Sequence, residues 1–342
     1  MKIVQRDPQA RVPAGPAPAP GLRGLQRLLA ERPALALAGL LALLVAIASL
    51  LIPGYLTWGQ LTNILRLGSV MGLLAAGQTM IIIAGGIDLS VAWIAVAAGY
   101  VVDYVAAGSA VPAGIAAALA LGVLIGAING IGAGVFGASP LIVTLGMAGV
   151  VQGGVIVFDK AHLANAPSVP AVILQLANNS IGGVFPVAAL LWIAVAALVI
   201  MVLRRTGLGR VIYAVGDNKE ACRLAGIPVA GALVAVYALA GLVSAIGGIL
   251  LVGLSRYANA QMGDPFLLPS IAAVVVGGTS IAGGSGSYGG TILGVLLLTV
   301  LDGLLTLLNI GSGQAPQAAR FILYGTIVLL LAWTYIRTSQ QA

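Results

Sequence analysis

Three acidic residues, Asp88, Asp103 and Asp302, fall within or beside long apolar stretches of a chain in which charge is otherwise scarce. A carboxylate in such a place is costly unless it is paired, hydrated or functional, which makes each a candidate for ion coupling or for lining a solute path. Asp88 also has a structural use. It follows Gly85-Gly86 and, with Ser90, opens the next apolar run, where Asp or Ser caps exposed helix N–H groups. Capping counts for more in lipid, because an unsatisfied backbone group there costs several kcal/mol. Gln78 and Thr79 in the preceding run suit a pore wall and helix–helix hydrogen bonding about equally. Thr144, inside SPLIVTLG at 139–146, is expected to bond its own backbone in preference to facing a pore.

Other chemistries lack their parts. The single histidine, His162, supplies no His pair, and the single cysteine, Cys222, makes neither an internal disulfide nor a cysteine metal site. The lysines are Lys2, Lys160 and Lys219, and none follows a glycine, so the phosphate-binding loop G-x-x-x-x-G-K-[ST] is absent. H-E-x-x-H and G-x-S-x-G are absent too. The expectation is a protein that is not an enzyme and binds no cofactor or metal of its own. Its solute path is passive, or is driven by a partner.

The elements that must position these residues follow from composition. Of 342 residues 60% are hydrophobic and 7% charged, against about 25% charged in soluble domains. Mean hydropathy is +1.09. A soluble domain of this size could not hide so much apolar surface, so the bilayer is the remaining solvent. The apolar runs are continuous and lack the alternation of a membrane β-barrel, so helices are predicted. About ten spans of roughly 20 residues emerge: 34–52, 64–84, 90–107, 112–135, 139–158, 185–203, 231–252, 267–282, 289–308 and 318–336. The run at 267–282 is short and ends among glycines, which predicts a short or broken helix. The abundant small residues, including 48 glycines, let helices approach closely. The fold class is therefore an all-α integral membrane protein, with a tail at 1–33 and a membrane domain at 34–338.

Charge sets the expected orientation. The tail is basic and Pro-rich (PAGPAPAP at 13–20) and reads as a disordered, extended segment. A second basic cluster, Arg204, Arg205, Arg210, Lys219 and Arg223, lies in the loop 204–230. Basic loops are retained in the cytoplasm, and counting spans places tail, loop and C-terminus together there, with 159–184 on the far side. The net charge of +7 lacks a basic patch interleaved with aromatics, so nucleic acid is not an expected partner. Within the basic loop, Asp217 with Glu220 three residues later resembles a capping box, Gly226 supplies a stop and Pro228 forbids continuation. A short helix over Asp217–Gly226 is predicted, and it has little use unless something docks on it. The Gly-rich segment 270–290 lacks lysine and suits a tight hairpin with close backbone packing.

Four segments in order carry a family resemblance: GGIDLS at 85–90, PLIVTLG at 140–146, GR-x-IYA-x-G-x-N-x-EA from Gly209 to Ala221, and AAVVVGGTS-x-x-GG-x-GS from Ala272 to Ser287. Together they resemble the permease subunit of ribose-type bacterial ATP-binding-cassette (ABC) importers, over roughly residues 60–336. The resemblance implies a multi-pass protein of the bacterial inner membrane that passes a monosaccharide or similar neutral polyol. It implies two cytoplasmic ATPase subunits that use ATP, a periplasmic sugar-binding protein, and a second permease copy, identical or closely related. It also makes the segment carrying Gly209, Arg210, Tyr213, Asp217, Asn218, Glu220, Ala221, Leu224 and Gly226 the element that docks on the ATPase. Two positions depart from the family's habit: bulky Trp93 follows Ala92, and Asp302-Gly303 stands where Asn-Gly is usual. Arg256 and Arg320 are possible partners for Asp302. The competing reading is a self-sufficient ion-coupled carrier using Asp88 or Asp302.

Overall fold

The computed structural model describes residues 33–108, 110–162 and 168–307, together with 318, 322, 325 and 326. The helices are α1 (Pro33–Leu51), α2 (Trp58–Ile83), α3 (Val91–Gly108), α4 (Val111–Gly134), α5 (Pro140–His162), α6 (Ala171–Asn178), α7 (Val187–Arg205), α8 (Gly207–Asp217), α9 (Lys219–Leu224), α10 (Val229–Ser255), α11 (Leu267–Val276) and α12 (Tyr288–Leu307). Seven of them are long and apolar enough to cross a membrane, and α3 and the stretch Asp264–Val276 are shorter apolar helices. The chain is an all-α membrane protein.

Helix α10 is the hub. It packs against α4, α3, α2 and α6, while α12 closes the other flank against α11, α2 and α1. The α10–α4 contact is backbone against backbone. A side chain at Gly122, Gly126 or Gly241 would overlap the partner helix. In lipid such van der Waals contact supplies the association energy that hydrophobic exclusion supplies in water. Leucines, isoleucines and valines of α1, α4, α5 and α7 point outward, among them Leu50, Leu124, Ile142, Val157 and Leu198, and leave the outer surface of the bundle apolar, as a bilayer requires.

The elements at 34–307 match the expected spans closely, with three differences. The run at 267–282 is the ten-residue helix α11, preceded by a single 3₁₀ turn, Asp264–Phe266. Glycines with positive φ at 278, 283, 284 and 286 end it and carry the chain to α12 in irregular form. The loop 159–184 holds the amphipathic helix α6 and a two-stranded hairpin that pairs Ser180 with Pro186. The loop 204–230 holds two helices, α8 and α9, where a single one was expected. The tail at 1–32 and nearly all of the span at 318–336 lie outside the described residues.

Candidate functional site

Between α2 and α3 the chain leaves the helix for residues 84–90 and is buried there or nearly so. Non-helical backbone at membrane depth persists only where protein or water satisfies it. Protein does so here. The Gln78 amide donates to Asp88 O and accepts from Asp88 N. Thr144 on α5 donates to Ile87 O and accepts from Leu89 N, both at 3.1 Å. The Asp88 Oδ1 accepts from Ser90 N at 2.7 Å and Ser90 Oγ at 2.6 Å. Asn129 on α4 donates to Ser90 Oγ at 2.9 Å. Thr144, fully buried, bonds a neighbouring turn and not its own backbone. Asp88 closes a side-chain turn onto Ser90, ahead of the first residue of α3. Thr79 donates to Ala75 O at 2.7 Å and meets Thr291 of α12 at 2.9 Å, which ties α2 to α12.

One step along the chain, the same turn meets two distant segments. Gly284 N donates to Ile83 O at 2.9 Å. Gly216, in the last turn of α8, is wedged between them: an added Cβ would overlap Ile83 O and lie 2.6 Å from Gly284 N. Tyr213, three residues earlier, donates its phenol to Gly286 O at 2.9 Å. Burial pushes that phenol above its ordinary pKa, against the lowering effect of Arg204. The end of α2, the end of α8 and the Gly-rich segment before α12 therefore form one backbone junction.

From this junction α8 and α9 project with an exposed surface. Thr206 caps α8 by accepting from Gly209 N at 3.1 Å, and Gly209 fits a bend where any side chain would overlap the carbonyls of Val202 and Leu203. Asp217 does not cap the next helix, because it is still helical in α8. The cap is Asn218, whose Oδ1 accepts from Ala221 N at 2.9 Å. Glu220 does not reach back in a capping box; it pairs with Arg223 at 3.4 Å. Gly226, with φ 75°, ends α9, and Ile227 N returns to Cys222 O at 2.9 Å. Arg210, Asp217, Asn218, Glu220, Ala221 and Gly226 are exposed. Leu224 is 83% exposed at the tip, while Ile212, Val215 and Cys222 face inward. Lys219 is held below its ordinary pKa by burial first and by Arg223 second.

Asp302 lies elsewhere, in a cavity of about 450 Å³ near the opposite ends of α2, α10 and α12, with Leu67, Met262, Phe266 and Thr299. Arg256, proposed as its partner, lines a separate recess with Gln175 and Asn178, and Arg320 lies outside the described residues. Asp103 is buried in α3. Sequence reasoning missed Asn129, the only strongly polar residue of α4, and passed over Gly216, which stands inside a quoted motif. It also missed Asp264, whose signal was a GDP turn directly before an apolar run.

Residues 60–331 match the family described as branched-chain amino acid transport system / permease component. The ribose import permease protein of Escherichia coli is 38% identical over 276 residues, 80% of this chain and 85% of that protein. The fructose import permease protein of Rhizobium meliloti is 33% identical over 322 residues, 90% of this chain and 87% of its own length. The ribose import permease protein of Bacillus subtilis is 34% identical over 273 residues, 80% of this chain and 84% of that protein. No solved structure matches the chain.

Proposed function

The chain belongs to the branched-chain amino acid transport system / permease component family, as a ribose-type ABC importer permease of the inner membrane, and from that premise we propose its cargo, partners and coupling element. The cargo is a monosaccharide or a similar neutral polyol, in keeping with relatives named for ribose and fructose import. A periplasmic binding protein delivers it, a separate ATPase drives its passage, and a second permease copy completes the pathway. Both termini and the basic loop lie in the cytoplasm, and the chain binds no cofactor of its own. ATP belongs to the partner.

One observation carries the coupling assignment: the exposed α8–α9 pair is bolted by backbone contact to the broken helices of the bundle. A six-residue helix such as α9 is too short to persist alone in water. Its cap, its glycine stop and its inward Cys222 hold it ready, and Leu224 offers an apolar tip to a groove in the ATPase. The junction then passes a displacement of α8 to residues 83–85 and 283–286. At Asp88 a structural use is in place, because Oδ1 closes a turn, while Oδ2 is buried with no hydrogen-bond partner among the described residues and leaves the carrier reading to the experiment on Asp88→Asn.

The test uses the permease in nanodiscs with its ATPase and binding protein. Leu224→Asp should lower ATPase co-purification and abolish sugar-stimulated phosphate release, because a charge enters a contact face. Lys160→Ala, in the loop expected on the far side, should leave both intact. Normal assembly and stimulation in the Leu224 variant would refute the coupling assignment.

A further inference from the structure

The turn that starts the short helix α11 reaches deep into the membrane. Gly263 packs on α3, where an added Cβ would lie 3.1 Å from Ala92 O and 2.5 Å from Val96 Cγ2. Residues 92–96 stand 12–16 positions before the end of α3 at Gly108, which places Gly263 roughly 18–24 Å from that end. In a hydrocarbon core about 30 Å thick, this is near or past the middle. Asp264 follows, exposed, and no side chain among the described residues bonds its carboxylate. Beside it, Trp93 of α3 is half-buried, and its indole N–H is likewise without a partner among them. Both residues line one cavity of about 260 Å³, closed otherwise by apolar groups including Val96, Leu267 and Leu268.

This face does not meet lipid. An exposed carboxylate and irregular backbone at mid-membrane depth are tolerated only against water or protein. The pocket therefore opens onto a wetted path. Its chemistry is selective. A flat indole offers an apolar platform with one donor at its edge, and a carboxylate offers only acceptors. The C–H face of a sugar ring stacks on such a platform while its hydroxyls donate to the carboxylate. The volume lies just below the roughly 300 Å³ at which small-molecule sites begin, which suits one ring and not two. We infer that Trp93 and Asp264 form a transient monosaccharide-binding station in the translocation path. This rests on the monosaccharide reading above and gives it a place in the chain.

Two measurements test it. In a Cys222→Ala background, Asp264→Cys and Leu268→Cys in the assembled transporter should react with a charged, water-soluble thiol reagent, and Gly146→Cys on the exposed face of α5 should not. Unreactive cysteines at 264 and 268 would overturn the wetted pocket. Proteoliposomes holding the permease, its ATPase and binding protein are then assayed with radiolabelled ribose and fructose. Because the binding protein sets half-saturation, the losses should appear in maximal rate. Trp93→Ala and Asp264→Leu should each lose about tenfold, whereas Trp93→Phe and Asp264→Asn, which keep the platform and an acceptor, should stay within about threefold. ATPase co-purification reports that the variants fold. Full import rates in Trp93→Ala and Asp264→Leu, with the unaltered transporter active, would overturn this inference alone. An unaltered transporter inert toward both sugars would refute the monosaccharide reading, and the inference with it.

Discussion

Single side chains hold this protein's irregular backbone, and the clearest case is Thr144. Its hydroxyl serves two backbone groups of the 84–90 turn, one as donor and one as acceptor. Thr144→Val keeps the shape and strands both groups, at about 1–3 kcal/mol for each buried orphan. Thr144→Ser keeps the hydroxyl. Thermal stability of the detergent-solubilised protein should fall sharply for valine and little for serine; equal stability would mean that the clamp contributes nothing. Asp88 gives the companion experiment. Its Oδ1 closes a turn by accepting two hydrogen bonds from Ser90, which an asparagine side-chain oxygen also accepts. Asp88→Asn should therefore fold and support import. Loss of import from a well-folded Asn variant would show that the carboxylate charge itself matters, as the carrier hypothesis requires.

At the scale of elements, α9 exists because its ends are written into the chain. The Asn218 side chain satisfies one of the first free N–H groups and Gly226 turns the chain out of the last turn. Asn218→Ala should cost about 0.5–2 kcal/mol of local stability, the usual loss for a removed cap. Asp217→Ala should cost much less, since Asp217 is the last residue of α8 and caps nothing. Amide hydrogen exchange over 219–225 reads this directly: faster exchange is expected for the Asn218 variant only. The reverse pattern would restore the Asp217 capping box and move the boundary between the two helices.

For the whole molecule, the junction orders the segments that a topology must keep together. Residues 83–85, 213–217 and 283–286 meet at one end of the bundle, and the basic loop is part of it. On the proposed orientation that end faces the cytoplasm, the side on which basic loops are retained. Arg210→Cys in the Cys222→Ala background should be protected from an impermeant thiol reagent in sealed cells, and Lys160→Cys should be labelled. Labelling at 210 and protection at 160 would invert the protein. The energy source is a property of the assembly as well. The permease alone in liposomes should not concentrate sugar under an imposed proton or sodium gradient, and accumulation there would revive the ion-coupled alternative.

Much was legible before any fold was known, because hydropathy and backbone grammar are local. Lipid demands long apolar runs, and those runs mark the seven long helices and α3, though not α6, α8 and α9, which lie between spans. Glycines and prolines mark the breaks for the same reason, as at Gly85 and Gly226. The family motifs also survive in linear order, so the class of protein could be named from them. Contacts between distant residues were not legible, since no local rule encodes them. Thr144 looked like a residue bonding its own helix until α5 was placed beside the 84–90 turn. Gly216 looked like one glycine among 48 until Ile83 and Gly284 closed around it. Asp264 falls between two expected spans, and only the packing of Gly263 on the first turns of α3 brought its carboxylate to the cavity that Trp93 lines. Sequence sets which segments prefer lipid, whereas the depth and the neighbours of each break are set by the packing of helices far apart in the chain.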